Sequence, residues 1–387
     1  MGRNAAGPRR RFAIGAVPVK TTVWRAGPHT LIKHAILRRY LQAWLPVVGR
    51  YNSKLVYIDG FAGPGRYEGG EDGSPLIAVK TVLAHAAFQK PTPGREVVFI
   101  FIERKKRRAA SLMAELAALG TLPSWIKVEA VRIGTFAEHI DRLLGELERK
   151  RLTLAPTFAF IDPFGIAVPM DLIRRIAQHP ACECFISFMY ESVNRFLGKK
   201  ALLKHFDELF ATDEWRPIVD LKDPDERQQK LVALYRRQLM SYAGFKHVLT
   251  FEMIDATNHT EYHLCFGTNN DKGLSVMKQA MWSVDPVGGH QFSDRTAGLR
   301  TLFEPEPDLL RLRRMLQTHF RPKGWVSIDD VDQYALLNTP YSEEMHLRRK
   351  TLGAMEKTDP PLIDVRRPAD KRNTRGTYPP GTRLRFV

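Results

Sequence analysis

Five largely apolar runs, separated by stretches of helical periodicity, constrain the fold of this chain more than any other feature. They are Lys54–Ala62 (KLVYIDGFA), Glu96–Glu103 (EVVFIFIE), Lys127–Ile133, Thr157–Ile161 (TFAFI) and Glu183–Tyr190 (ECFISFMY). A strand with one wet face alternates apolar and polar residues. These runs do not, so both faces of each must be covered. Between them, helices are predicted over Ser74 to about Phe88, Lys105–Leu119, Thr135–Arg151 and Asp171–His179. Ser74-Pro75 supplies an N-cap followed by a first-turn proline. Such alternation specifies a parallel sheet between helical layers, with ligands bound beyond the carboxyl ends of the strands.

The rest of the chain extends this plan. A helix is predicted ahead of the first strand, over Leu31–Val48, with Thr30 as its cap. Residues 191–242 read as a helical insertion, and Phe245–Asp255 and Tyr262–Thr268 as two further strands. The short connection between those two makes them an antiparallel pair. Residues 21–285 thus form one Rossmann-type α/β domain. Residues 286–306, holding Gly288, Gly289 and Pro305, read as a linker. Residues 307–387 then give helices at Asp308–His319, Asp329–Leu336 and Ser342–Lys357, with short strands at Trp325–Ile328, Leu362–Val365 and Arg383–Val387. That order, with a basic loop between the last two strands, is the winged-helix order. Residues 1–20 lack periodicity and read as a disordered basic arm.

The formal net charge of +17 favours a polyanionic partner, DNA or RNA. No apolar run reaches the roughly 18 residues that cross a bilayer. Met1–Arg11 is basic with no apolar stretch behind it, unlike a secretory signal. A cytoplasmic protein with no membrane partner is expected. Cys182, Cys184 and Cys265 lie in strand-like runs without a C-x-x-C pair or a histidine cluster. They are expected to be buried thiols, and no metal site is expected.

The strongest local motif is Asp59-Gly60-Phe61-Ala62-Gly63-Pro64-Gly65, directly after the first apolar strand. Its glycines allow a sharp turn and close approach of a ligand to the main chain. In a dinucleotide fingerprint the helix begins at the last glycine; here Arg66–Gly73 intervenes. That favours a nucleoside ligand without pyrophosphate, S-adenosylmethionine over NAD. Glu103, ending the second strand, is placed to accept hydrogen bonds from ribose hydroxyls. Asp162-Pro163-Phe164-Gly165 ends the fourth strand: an acid for an acceptor amine, a stiff turn, and a ring on which a base can stack. Arg66 beside the glycine turn, Arg348, Arg349 and Lys350 on the basic helix, and Lys371, Arg372 and Arg375 on the wing are the candidate nucleic-acid contacts. Lys33 and His34 read as a surface pair on the first helix, and Asn194 and Arg195 as weaker candidates near the fifth strand.

Taken together, K-H-x-I-L-x-x-Y-L-x-x-W at Lys33–Trp44, Y-I-D-G-F-A-G-P-G-R-Y at Tyr57–Tyr67, D-G-S-P at Asp72–Pro75 and F-I-D-P-F-G at Phe160–Gly165 resemble the three-Cys-motif partner protein family. The resemblance runs from about Thr22 through the C-terminal module. It implies a partner, a radical-S-adenosylmethionine-like protein with a three-cysteine motif, more than it implies a reaction. The glycine loop is also similar to that of bacterial adenine-N6 methyltransferases of large-subunit ribosomal RNA, whose sheets are likewise five parallel strands closed by an antiparallel hairpin. That likeness implies donor contacts at Asp59, Gly60, Ala62, Gly63 and Gly65, ribose contacts at Glu103, and a catalytic D-P-P-[YF] site at Asp162, Pro163 and Phe164. Here Phe164 stands where that motif has its second proline. Three readings follow: an S-adenosylmethionine-dependent methyltransferase acting on or at DNA or RNA, a non-catalytic nucleic-acid-binding partner protein, and a nuclease holding a metal on Asp59, Glu103 and Asp162.

Overall fold

The computed structural model describes residues 21–86, 94–166, 168–294, 306–371 and 374–387. The predicted arm over 1–20, residues 295–305 of the predicted linker and Arg372 lie outside the described residues. The first domain runs α1 (Pro28–Gly49), β1 (Lys54–Asp59), α2 (Ser74–Ala84), β2 (Glu96–Glu103), α3 (Lys106–Ala117) and β3, in two pieces, Ile126–Val128 and Arg132–Ile133. It continues with α4 (Phe136–Lys150), β4 (Thr157–Ile161), α5 (Met170–Ala177), β5 (Cys182–Phe188), α6 (Tyr190–Phe196), α7 (Leu203–Phe210) and α8 (Pro224–Ser241). Strands β6 (His247–Ile254) and β7 (Thr260–Thr268), helix α9 (Asp271–Trp282) and strand β8 (Gln291–Ser293) close it.

The strands lie side by side in the order β3-β2-β1-β4-β5-β7-β6-β8. β1 pairs in parallel with both β2 and β4, and β7 runs antiparallel to β5 and β6. This order, with its one reversed strand, is the class I methyltransferase-like form of the Rossmann sheet. Its two faces differ in kind. Aliphatic residues such as Ile58, Ile100, Ile161 and Ile186 meet α4, α5, α7 and α8, while Tyr57, Phe99, Phe101, Phe158 and Phe185 meet α1, α2, α3 and α9. Adjacent residues of one strand point to opposite faces, so each unbroken apolar run feeds both cores. All three cysteines are free and buried.

Three elements depart from the sequence expectation. The predicted third strand is broken at residues 129–131. Helix α9 lies where no element is predicted, because a lysine interrupts its inner stripe of Leu274, Met277, Lys278 and Met281, all buried. The stretch read as linker contributes β8, which pairs with β6. The Asp285 carboxylate organises the preceding turn by accepting the backbone N–H groups of Val287, Gly288, His290 and Gln291.

The C-terminal module comprises α10 (Leu309–Phe320), β9 (Trp325–Ser327), α11 (Ile328–Asn338), α12, β10 (Ile363–Arg366) and β11 (Arg383–Phe386). Helix α12 runs Glu343–Leu352 with wide π-type turns and continues as α-helix over Gly353–Lys357. Its small antiparallel sheet is ordered β9-β11-β10. The module has its own core, including Leu312, Leu316, Val331, Leu347 and Leu384, and Trp282 of α9 belongs to it. The Lys278 ammonium, 5% exposed, lies within 2.5–3.5 Å of the carbonyls of Ala335, Leu336, Thr339 and Tyr341. One lysine thus serves carbonyls of the last turn of α11 and of the turn beyond it, with the Ala335 carbonyl also accepting the Thr339 hydroxyl. Among the described residues, no helix is long and apolar enough to cross a membrane.

Candidate functional site at the carboxyl edge of the sheet

Strands β1, β2 and β4 are neighbours running in one direction, so their terminal acids Asp59, Glu103 and Asp162 emerge on one edge. The turn after β1 needs its glycines for backbone conformation and for space. Gly63 and Gly65 sit at φ of +66° and +89°, where side chains are strained. A Cβ on Gly60 would fall 2.5 Å from the Phe136 ring at the start of α4. The turn is fixed to the next strand: Ala62 donates to the Ile102 carbonyl at 3.0 Å, and the Gly63 N–H donates to Glu103 Oε2, also at 3.0 Å. Glu103 Oε1 accepts the Lys105 N–H at 2.7 Å. Each carboxylate oxygen keeps a further lone pair, so Glu103 can hold the turn and still accept from a diol.

Asp59 is fully buried. Burial pushes its carboxyl up to about 7; bonds from the Ser74 side chain and the Phe61 N–H oppose the rise, and the charges of Asp162 and Glu103 add to it. Near neutral pH, Asp59 therefore exchanges between an acceptor and a donor form.

Asp162 is in the opposite condition. Its Oδ2 lies 2.5 Å from the Lys33 ammonium, and its side chain is 24% exposed. Burial alone would raise its pKa, but the charge and hydrogen bond of Lys33 hold it below the ordinary carboxylate range. Lys33 and His34, read from sequence as a surface pair, are both buried. They share an inner stripe of α1 with Leu37, Tyr40, Leu41 and Trp44. That i, i+4, i+7, i+11 spacing was the signal that could have placed them. Burial, then the adjacent Lys33 charge, pushes His34 down to about 3, so its imidazole is neutral. His34 Nδ1 and the Tyr262 hydroxyl are buried without a hydrogen-bond partner among the described residues. The Lys33 ammonium stands 5.0 Å above the centre of the Tyr262 ring.

An aromatic group borders these acids. Phe164 is half exposed, and its ring centre is 6.2 Å from that of Trp24. Trp24 meets Tyr67 edge-on at 5.6 Å, lies under the Arg108 guanidinium at 4.3 Å, and accepts the Glu68 N–H at its carbonyl. Tyr67 in turn lies 5.7 Å from His34. Trp24 carries no sequence motif; only the folded chain brings it to the glycine turn.

Other candidates lie apart from this group or are already engaged. Arg66 closes its own loop, bonding Glu115, Asp72 and the Gly70 carbonyl. Arg195 pairs with Glu191 one turn away on α6. Arg348 is bound by Asp332 and the Tyr378 carbonyl, whereas Arg349, Lys350, Lys371 and Arg375 are exposed. Pro163 is buried in the turn, directing Phe164 outward. Among the described residues no group of three or more His, Cys, Asp or Glu side chains is arranged to hold a metal ion. Asp59, Glu103 and Asp162 are spread along the edge, bound by Ser74, backbone N–H groups and Lys33 respectively.

No protein-family model matches the chain, and no curated protein does. Solved structures do. Protein LPL1258 of Legionella pneumophila, described as DUF519, aligns at a TM-score of 0.37 and 12% identity over 63% of this chain and 85% of its own. Trm1 of Pyrococcus horikoshii with S-adenosyl-L-methionine aligns at 0.36 and 13% over 70% and 76%. Magnesium protoporphyrin IX methyltransferase of Synechocystis with bound SAH aligns at 0.29 and 11% over 62% and 85%.

Proposed function

We propose that this chain is an S-adenosylmethionine-binding, methyltransferase-like protein acting on or at DNA or RNA. The observation that carries the reading is the Gly63–Glu103 bond, which sets a positive-φ glycine turn beside a carboxylate at the carboxyl edge of the sheet. We assign the glycine turn to a nucleoside: Gly63, facing the Trp24 ring, and Gly65, packed on Leu112 of α3, for the methionine part, with Asp59 and Ala62 beside them, and Glu103 for the ribose hydroxyls. The donor, when bound, supplies an electrophilic methyl group. The chain's own part is orientation. Asp162, kept ionised by Lys33, accepts a hydrogen bond from an acceptor amine, and Phe164 offers its exposed ring to the base. Fixing two reactants in this way converts an encounter into an intramolecular event. The C-terminal module, read as a winged helix, brings the nucleic acid.

Two measurements test this. Calorimetric titration with S-adenosylmethionine should show one site, and Glu103→Ala should weaken it on the order of tenfold or more, as loss of a charge-assisted hydrogen bond does. Undiminished binding by that variant removes Glu103 from the site. In a methyl-transfer assay on mixed DNA and RNA, Asp162→Ala should lower the rate on the order of a hundredfold. Equal rates overturn the role of Asp162.

The Lys33–Asp162 pair favours a second reading. An ammonium already occupies the carboxylate that an acceptor amine would need. In that case the chain binds a nucleoside and nucleic acid without transferring a methyl group, as a partner of a radical-S-adenosylmethionine-like three-Cys-motif protein. Donor binding with no transfer to any nucleic acid, by wild type and Lys33→Ala alike, favours this reading over the first.

A further inference from the structure

In the winged-helix arrangement the second helix of the pair normally enters a groove of DNA. Here the corresponding helix, α12, is poorly placed for that. Its first turn opens with Glu343 and Glu344, and Glu344 pairs with Lys272 of α9. Asp271, Asp329, Asp332, Glu343 and Glu344 line a cleft of about 550 Å³ between α12, α11 and α9. His346 packs edge-on against Trp282 of α9, with ring centres 4.3 Å apart. Lys272 and Arg348 line the same cleft and pair with Glu344 and Asp332, but the five carboxylates outnumber these two cations and disfavour phosphate there, and the turns beside them are covered by the first domain.

The other side of the module has the opposite character. Pairing of β9, β11 and β10 sets Trp325 opposite Arg385 and Arg385 opposite Asp364; in the next row Ser327 lies opposite Arg383 and Arg383 opposite Arg366. Residues two apart share a face, so Trp325, Arg383, Arg385, Asp364 and Arg366 form one outer grid. Leu384, Phe386 and Ile363 between them are buried. Arg366, Arg383 and Arg385 are exposed and Trp325 is half-buried. The Arg366 guanidinium lies over the Trp325 ring at 4.0 Å and Arg385 at 5.4 Å. Arg385 is paired with Asp364; Arg383 donates to the Trp325 carbonyl at 3.1 Å. No salt bridge ties Arg366 or Arg383 to a carboxylate among the described residues.

We propose that the outer face of the β9–β11–β10 sheet, and not helix α12, is the nucleic-acid contact of this chain, and that it takes an unpaired strand. The inference rests on the reading that the C-terminal module binds nucleic acid, and it names the surface. A guanidinium stacked on an indole presents a flat, pre-ordered platform on which an unstacked base can lie, and stacking on such planes is tolerant of sequence. Arg366 and Arg383, opposite each other on adjacent strands, supply positive charge beside the platform for the phosphates of the same strand. A base within a duplex has no free face, so single strands are preferred.

The test uses the full chain and fluorescence anisotropy with labelled 20-nucleotide single-stranded DNA, single-stranded RNA and the corresponding duplex, over a series of salt concentrations. Trp325→Ala should weaken binding of the single strands about tenfold or more. Arg366→Gln with Arg383→Gln, which leaves the fold's core untouched, should weaken it and shallow the salt dependence by about one counterion for each phosphate that is no longer neutralised. Arg349→Gln with Lys350→Gln on α12 should leave both unchanged. Weakening in the α12 variant equal to or greater than that in the sheet variants overturns the proposed surface while leaving nucleic-acid binding in place, as does a preference for the duplex. No binding by the wild-type chain to any of the three probes overturns the underlying reading, and the surface with it.

Discussion

Lys278→Met is expected to destabilise the C-terminal half of the chain by about 2–4 kcal/mol, because it leaves buried carbonyls at the end of α11 without their donor. Methionine keeps the length and apolar stem of lysine, so packing along α9 changes little. What it removes is the ammonium among the carbonyls of Ala335, Leu336, Thr339 and Tyr341. These groups end α11 and open the turn into α12; of the four, the Ala335 carbonyl keeps the Thr339 hydroxyl as a donor. Each buried acceptor left unpaired costs roughly 1–3 kcal/mol. Equilibrium unfolding in urea reads the loss, and the fluorescence of Trp282, whose indole N–H donates to the Pro340 carbonyl, reports the same junction. The titration of this lysine adds a signature. Burial pushes it down to about 8, against a weaker pull upward from Glu343. The unfolded chain then binds the proton more tightly than the folded one between about pH 8 and the ordinary lysine range, so folding stability from this group rises with pH there. Lys278→Met should lack that rise. A loss below about 1 kcal/mol, the ordinary worth of a single neutral hydrogen bond, means that the lysine is not the fastener described here.

The contrast between Lys278 and the apolar strands shows which parts of this molecule the sequence makes legible. Residues such as Val97–Ile102 fill both cores of a covered sheet, and an unbroken apolar run is the direct imprint of that environment. The glycine turn is legible for a similar reason: Gly63 and Gly65 hold backbone conformations that other residues resist. Lys278 has the reverse effect. As a charged residue in an inner stripe it breaks the periodicity by which α9 would have been recognised. β8 is hidden by its length, since three residues carry no pattern, and its pairing with β6 depends on the Asp285 turn. The candidate site divides along the same line. Asp59, Glu103 and Asp162 are marked by standing at the ends of apolar strands. Lys33 stands 129 positions from the carboxylate it binds, and Trp24 reaches Gly63 from outside every element. Local pattern encodes burial; it does not encode which distant side chain completes a buried charge.

That pairing is testable through the sign of a pH dependence. In the wild-type protein Asp162 is ionised at a lower pH than in the unfolded chain. Its contribution to stability is therefore present above the ordinary aspartate range and is lost as pH falls through the depressed value. Lys33→Met removes the ammonium that outweighs burial. Burial then governs, the Asp162 carboxyl moves above its ordinary value, and the folded form holds the proton more tightly than the unfolded one. The contribution of Asp162 should then be present in acid and be lost as pH rises. From below the ordinary aspartate value to above it, the stability difference between the two proteins should accordingly widen with pH, reaching about 3 kcal/mol near neutrality, the lower end for breaking a buried pair because Asp162 retains some exposure. Asp59 titrates higher, and its neighbours apart from Asp162 are unchanged, so most of its own pH dependence cancels in the comparison. The decisive arm is the double variant Lys33→Met with Asp162→Asn. An amide has no charge to strand, so the double variant should recover most of the loss and show no widening with pH. A double variant as unstable as Lys33→Met alone would mean that the lysine supports the fold through its stem against Tyr262 and not through the carboxylate, and the argument that Lys33 keeps Asp162 ionised for an acceptor would fail with it.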